Sequence, residues 1–240
     1  MMSPRPEVCS FMFAKSLFWV RLGCAFGVSV LLAACSGQQV EQSTGAPPLR
    51  AQTQSEYRML LEEARQLSFT LDFDRLRMAY VKSSEYNPYG GMKLDGLPEA
   101  YSSVEQADFS DCLRNVDKVL AYNYMSLEAH MIGVLCSGQA GELEREDLHR
   151  YMVEGLMTSI ENSGDGKSQA SALQTISTSE LRGYIRLKGL QVLDQSIVYD
   201  KQGVYDKMQV RDLESGEEYP LFFNVSQQFA RTTTSGSQQN

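Results

Sequence analysis

Gly164-Asp165-Gly166-Lys167-Ser168 is the stretch whose residue types come closest to a reactive loop. A phosphate-binding loop needs Gly, four residues, then Gly-Lys-Ser or Gly-Lys-Thr, so that backbone N–H groups wrap the phosphate and the lysine reaches it. Gly166-Lys167-Ser168 supplies that ending, but the first glycine position is Glu161. Glu161 and Asp165 would repel phosphate. The loop also follows a helical pattern and leads into a strand pattern, the reverse of the required order. No nucleotide is expected. Tried as a calcium loop, the stretch offers Glu161, Ser163 and Asp165 as oxygens, but the position of the closing bidentate acid is Ala172. A polar helix-to-strand turn whose glycines take positive φ is the favoured reading.

The two histidines, His130 and His149, lack the His-Glu-x-x-His spacing of a helix-borne zinc protease. If their helices run antiparallel they can meet, with Glu128 or Glu146 in reach. Packing or hydrogen bonding is the expected role, and no metal or other cofactor is implied. No Gly-x-Ser-x-Gly elbow and no Cys-x-x-Cys occurs after residue 35. The acidic "GELERED" run reads as a solvated helix face.

The cysteines carry the most specific signal. Arg5, Lys15 and Arg21 form a basic flank, followed by an apolar run from Leu22 to Ala34 that is short for a membrane span of about 20 residues. It closes in Leu32-Ala33-Ala34-Cys35, which resembles the bacterial lipobox. That motif implies cleavage after residue 34 and acylation of Cys35. By the same resemblance, Ser36 rather than Asp after the cysteine implies the outer membrane, facing the periplasm. Removing residues 1–34 takes away three basic side chains and Glu7, moving the formal charge from −8 to −10. So acidic a chain is a poor nucleic-acid binder, and anionic lipid would repel it, leaving the acyl chains to hold the membrane. Cys9 and Cys24 leave with the leader. Cys112 and Cys136 remain, each 12 residues from Tyr124. In two helices reversing there the thiols would be level, which permits a disulfide; two separate buried thiols are the alternative.

The elements that must position these groups follow from periodicity. Residues 35–54 are rich in Gln, Ser, Gly and Pro and read as a flexible tether. Residues 55–231 read as one domain, helical over 55–162 and sheet-rich over 171–226, and 232–240 as a disordered tail. Helices are expected over 55–67 and 72–82, then a loop through Tyr86-Asn87-Pro88-Tyr89 to Tyr101. Ser102 or Ser103 offers a capping box to a helix whose stripe is Phe109, Cys112, Leu113, Val116, Val119 and Leu120. Ser126 caps the next helix, and a third runs from Leu148 to Ile160. A short strand at 172–176 precedes a helix capped by Ser177 with Glu180 and closed by Gly189. Strands are expected over 190–199, 204–211 and 219–225, with Pro220 placing at least the start of the last at an edge.

Two resemblances accompany this reading. Asn123 to Ile160, "NYMSLEAHMIGVLCSGQAGELEREDLHRYMVEGLMTSI", is similar to one tetratricopeptide hairpin; a solenoid needs about three such units. "FDRLRMAYVKSSEYNPYG", "GLMTSIENSGDGKS" and "YDKMQVRD…LFFNV", in that order, resemble the bacterial family called domain of unknown function 4919. That resemblance carries no activity to transfer. The fold expected is α+β: an N-terminal helical bundle with one tetratricopeptide-like hairpin packed on a small C-terminal antiparallel sheet. The function expected is that of a non-catalytic binding or scaffolding module of the cell envelope, with an envelope protein as partner. The alternative is an envelope hydrolase using Tyr86, Tyr89, His149 and Asp165 around the Ser163–Ser168 turn.

Overall fold

The computed structural model describes residues 49–89 and 96–235. The expected leader, Cys35, most of the expected tether, residues 90–95 and residues 236–240 lie outside the described residues. Helix α1 (Leu49–Arg65) begins within the segment read as tether, before the expected Ser55. Its buried stripe of Tyr57, Leu60, Leu61 and Ala64 packs on α2 (Phe73–Lys82), which buries Leu76, Ala79 and Tyr80. The Asp72 carboxylate caps α2 by accepting from the Arg75 N–H at 3.0 Å.

The expected loop to Tyr101 instead holds a helix, α3 (Leu97–Glu105). Pro98 sits in its first turn, and Glu99 reaches back to accept from the Gly96 N–H at 2.9 Å. Ser103 therefore lies inside α3 rather than at the head of the next helix. Its hydroxyl is 2.8 Å from both the Glu99 carbonyl and the Asp111 carboxylate. Asp108 takes the capping role for α4 (Phe109–Tyr122), accepting from the Asp111 N–H at 2.9 Å.

Helices α5 (Leu127–Ala140) and α6 (Leu143–Asn162) form the hairpin, with Ser126 capping α5 and Gly141 turning the chain at φ 75°. Cys112 on α4 and Cys136 on α5 are joined by a disulfide, Cα atoms 6.3 Å apart. It lies in a core of its own with Leu97, Leu113, Val116, Val119 and Ile132, which binds α3, α4 and α5 together.

The sheet consists of β1 (Leu173–Gln174), β2 (Leu190–Tyr199), β3 (Val204–Asp212) and β4 (Glu218–Asn224), in the order β1-β4-β3-β2. It is mixed rather than antiparallel throughout, because β1 pairs parallel with β4 through Leu173–Phe223 and Gln174–Asn224. So short a pairing covers only the far end of β4. Among the described residues Pro220 pairs with Gln209 of β3 alone, which leaves the proline side of the strand open. Helix α7 (Thr178–Leu187) joins β1 to β2, and α8 (Ser226–Ser235) extends into the segment expected as tail.

A buried ion pair ties these layers. Arg77, 2 % exposed, grips both oxygens of fully buried Glu180 at 2.9 Å, reaches Ser159 Oγ at 2.8 Å and donates to the Gln174 carbonyl at 2.6 Å. Ser159 in turn donates to Asp74. Ser177 caps α7 as its spacing predicts, but Glu180 does not close the box on Ser177; it accepts from the Ile176 N–H at 3.0 Å. The guanidinium fork pulls the carboxylate inward, so one side chain fixes α2, α6, β1 and α7 at once.

Candidate functional site

The four residues proposed for a hydrolytic centre do not come together. Tyr86 is buried core, its hydroxyl donating to the Ile176 carbonyl at 2.6 Å. Tyr89 is partly exposed and donates to the Gln228 carbonyl at 3.1 Å. Asp165 lies on the surface in a local turn, accepting from the Lys167 N–H at 3.0 Å. That turn is stitched into the fold by Gly166, at φ 70°, which donates to the Ser171 carbonyl and accepts from the Phe222 N–H, each at 2.8 Å. It extends the open side of β4 beside Pro220, a structural role. A cavity of about 670 Å³ adjoins it, lined by Asp165, Lys167 and Lys188, but none of the other three expected residues reaches it.

His149 does meet His130. Their Nδ1 atoms are 3.0 Å apart, and His130 Nε2 lies 2.8 Å from the Tyr124 carbonyl. A carbonyl only accepts, so neutral His130 carries its proton on Nε2, and its bare Nδ1 accepts from His149 Nδ1–H. His149 Nε2 is then a buried acceptor without a partner. Burial pushes both imidazoles down, His130 to about 3 and His149 to about 4. Neither expected carboxylate joins them: Glu146 pairs with Arg150, and Glu128 faces elsewhere, into the larger cavity described next. Among the described residues no group of three His, Cys, Asp or Glu is placed to hold a metal.

The more capable site is a cavity of about 1070 Å³ between α3, α7, β2 and β3. Leu181, Ile185, Leu190 and Met208 make its walls apolar. Exposed Glu99, Arg182 and Arg186 share the lining, and two buried carboxylates join them. Glu128, in the first turn of α5, is 2 % exposed; its Oε1 is 4.0 Å from Arg186 Nη2, and its Oε2 has no hydrogen-bond partner. Burial pushes it up to about 7, against the pull of the Arg182 charge. Asp206 on β3 is 5 % exposed; its Oδ2 accepts from Gln195 Nε2 at 2.6 Å, and its Oδ1 is unpartnered. Burial raises it too, in part offset by that hydrogen bond. The Tyr101 hydroxyl is a third polar atom without a partner, and the Arg186 guanidinium stacks 4.6 Å over its ring.

Gln228 completes the wall from α8, its amide 3.4 Å from the Thr175 carbonyl. Tyr89, holding the Gln228 main chain, thus supports the cavity from behind. Sequence reasoning passed over Asp206 and set Glu128 beside the histidines, although each leaves a trace of its place here. Glu128 is the only charged residue of α5. Asp206 occupies the inward phase of β3 that Met208 and Val210 continue.

A cavity with apolar wall segments and convergent, poorly satisfied polar groups has the form of a ligand pocket. The fold and this cavity define an α+β domain with a pocket between a helical layer and a four-stranded sheet. The chain belongs to the family described as Domain of unknown function (DUF4919), whose model matches residues 50–233. No curated protein and no solved structure matches it.

Proposed function

We propose that this chain is a cell-envelope lipoprotein, acylated on Cys35 and held at the outer membrane facing the periplasm, that acts as a non-catalytic binding module. The cavity bounded by α3, α7, β2 and β3 is its ligand site. One observation supports this reading above others. Glu128 and Asp206 line a large cavity, each with one buried carboxylate oxygen that has no hydrogen-bond partner, at a desolvation cost that a ligand supplying hydrogen bonds would offset. Among the described residues no helix is long and apolar enough to cross a membrane, so in this reading the acyl group supplies the attachment.

Native mass spectrometry of protein extracted gently from the envelope tests both parts. The expected species carries the mass of a diacylglycerol on Cys35 and a small molecule that is absent from the doubly substituted Glu128→Gln, Asp206→Asn protein. An unacylated chain would overturn the anchor. A ligand retained by the double variant would overturn the site.

A further inference from the structure

Glu128 and Asp206 stand on different walls of one cavity, the first entering from α5 and the second from β3. Each is at least nine-tenths buried, and each keeps one carboxylate oxygen with no donor in the protein. The surfaces around them join hydrocarbon from Leu181, Ile185, Leu190 and Met208 to the charged side chains of Glu99, Arg182 and Arg186. What the two acids lack is a hydrogen-bond donor for the second oxygen of each. An ammonium supplies three donors to acceptor-only oxygens, while methylenes fill aliphatic walls.

The two arginines at hand do not fill that need. Arg186 is half exposed, stays 4.0 Å from Glu128 Oε1 and spends its face on Tyr101, and Arg182 is exposed. Neither makes a described hydrogen bond or ion pair to Asp206. The chain as a whole carries a formal charge of −8, which draws cations toward it and repels anions. A fatty acid or another carboxylate ligand would set its charge against two buried acids, and a neutral hydrocarbon would leave both open oxygens unsatisfied.

We infer that the cavity binds a primary alkylamine, its ammonium hydrogen-bonded by Glu128 and Asp206 and its methylenes lying on α7 and the β2–β3 face. This rests on the binding-module reading above and names its ligand class. A free diamine and a lysine side chain share this chemistry.

Isothermal titration calorimetry on the folded, disulfide-intact protein distinguishes them. The probes are 1,6-diaminohexane, Nα-acetyl-lysine amide and, as the uncharged isostere, 1,6-hexanediol. Saturable binding is expected for one or both amines and not for the diol. Preference for diaminohexane assigns a free amine; preference for the lysine derivative assigns a side chain. Glu128→Gln and Asp206→Asn preserve shape and should each weaken amine binding roughly 10- to 100-fold. Glu146→Gln, which does not line the cavity, should leave it unchanged.

Cation binding at pH 7 should also drive off about half a proton, read from the heats in phosphate and Tris, because Glu128 titrates there. The other charged groups facing it, Arg182 and Arg186 of α7, Glu99 of α3 and Asp206 of β3, contribute the remaining field. Equal binding of the diol, or amine binding that both variants retain, overturns the inference. If no amine binds while the envelope-extracted protein still carries a ligand that the double variant loses, the ligand class is wrong and the binding module stands.

Discussion

Replacing Arg77 by Met isolates what holds the cavity wall in place. The substitution keeps an apolar stem of similar length and removes four hydrogen bonds: two to Glu180, one to Ser159 and one to the Gln174 carbonyl. Glu180, with no solvent exposure, is left with the Ile176 N–H as its remaining side-chain donor. Breaking one side of a buried pair costs about 3–5 kcal/mol, because the other charge stays buried and unpaired. Against a total stability of about 5–15 kcal/mol, that loosens the α7 anchor and with it Leu181, Arg182, Ile185 and Arg186 of the cavity. The second substitution, Glu180→Gln, removes the stranded charge while its amide oxygen still accepts from Ile176, so the double variant should recover at least about 2 kcal/mol of the loss. Urea unfolding followed by circular dichroism suits the experiment, since the only tryptophan, Trp19, precedes the family domain. If Arg77→Met cost less than about 1 kcal/mol, or the two substitutions were merely additive, the pair would not be the clamp described here.

Other outcomes follow from the same contacts. Both histidines have folded pKa values depressed below 6.5, so only the unfolded chain takes up protons as pH falls from 6.5 toward 4, and stability drops across that window. The pair removes roughly 3–4 kcal/mol between pH 6.5 and 5. Glu128, raised to about 7, binds its proton in the folded state first and opposes the loss, so denaturant midpoints should fall more steeply with acid in Glu128→Gln than in the natural chain. A flat profile in that variant would refute the buried neutral imidazole pair. Gly133→Ala would put a Cβ 2.6 Å from the His149 ring and should cost roughly 1–3 kcal/mol in thermal unfolding; a neutral result would mean that α5 and α6 are not this close. Reducing the Cys112–Cys136 bridge, which spans 24 positions, should cost about 3 kcal/mol of stability by denaturant titration with and without reductant.

Helices with a long apolar stripe were legible in the sequence, α2 and α4 from the stripe alone and α5 and α7 from the caps Ser126 and Ser177 as well. Helix α3 was not, because Gly96 has no capping side chain and the work is done by Glu99 reaching backward, while Ser102 and Ser103 present a cap that tertiary contacts override. The mixed sheet escaped notice because its parallel pairing is two residues long and leaves no periodicity. Among functional groups, the His130–His149 meeting was foreseeable from antiparallel spacing alone. The cavity was not, since its walls come from α3, α5, α7, β2, β3 and α8, and what marks Glu128 and Asp206 is one carboxylate oxygen on each without a hydrogen-bond partner. Sequence patterns show where a side chain should be buried; whether its oxygens are then satisfied depends on every neighbour the fold brings in.

Hydrogen–deuterium exchange of the folded protein, with an envelope small-molecule extract and with the same extract after exhaustive dialysis, tests the account most directly. Undialysed extract should slow exchange in α3, α7 and β3 and leave the α1–α2 pair unchanged, and the Glu128→Gln, Asp206→Asn protein should show no such difference. Equal exchange under both conditions, or protection confined to segments away from the cavity, would contradict the claim that these two buried acids mark the place where this protein binds.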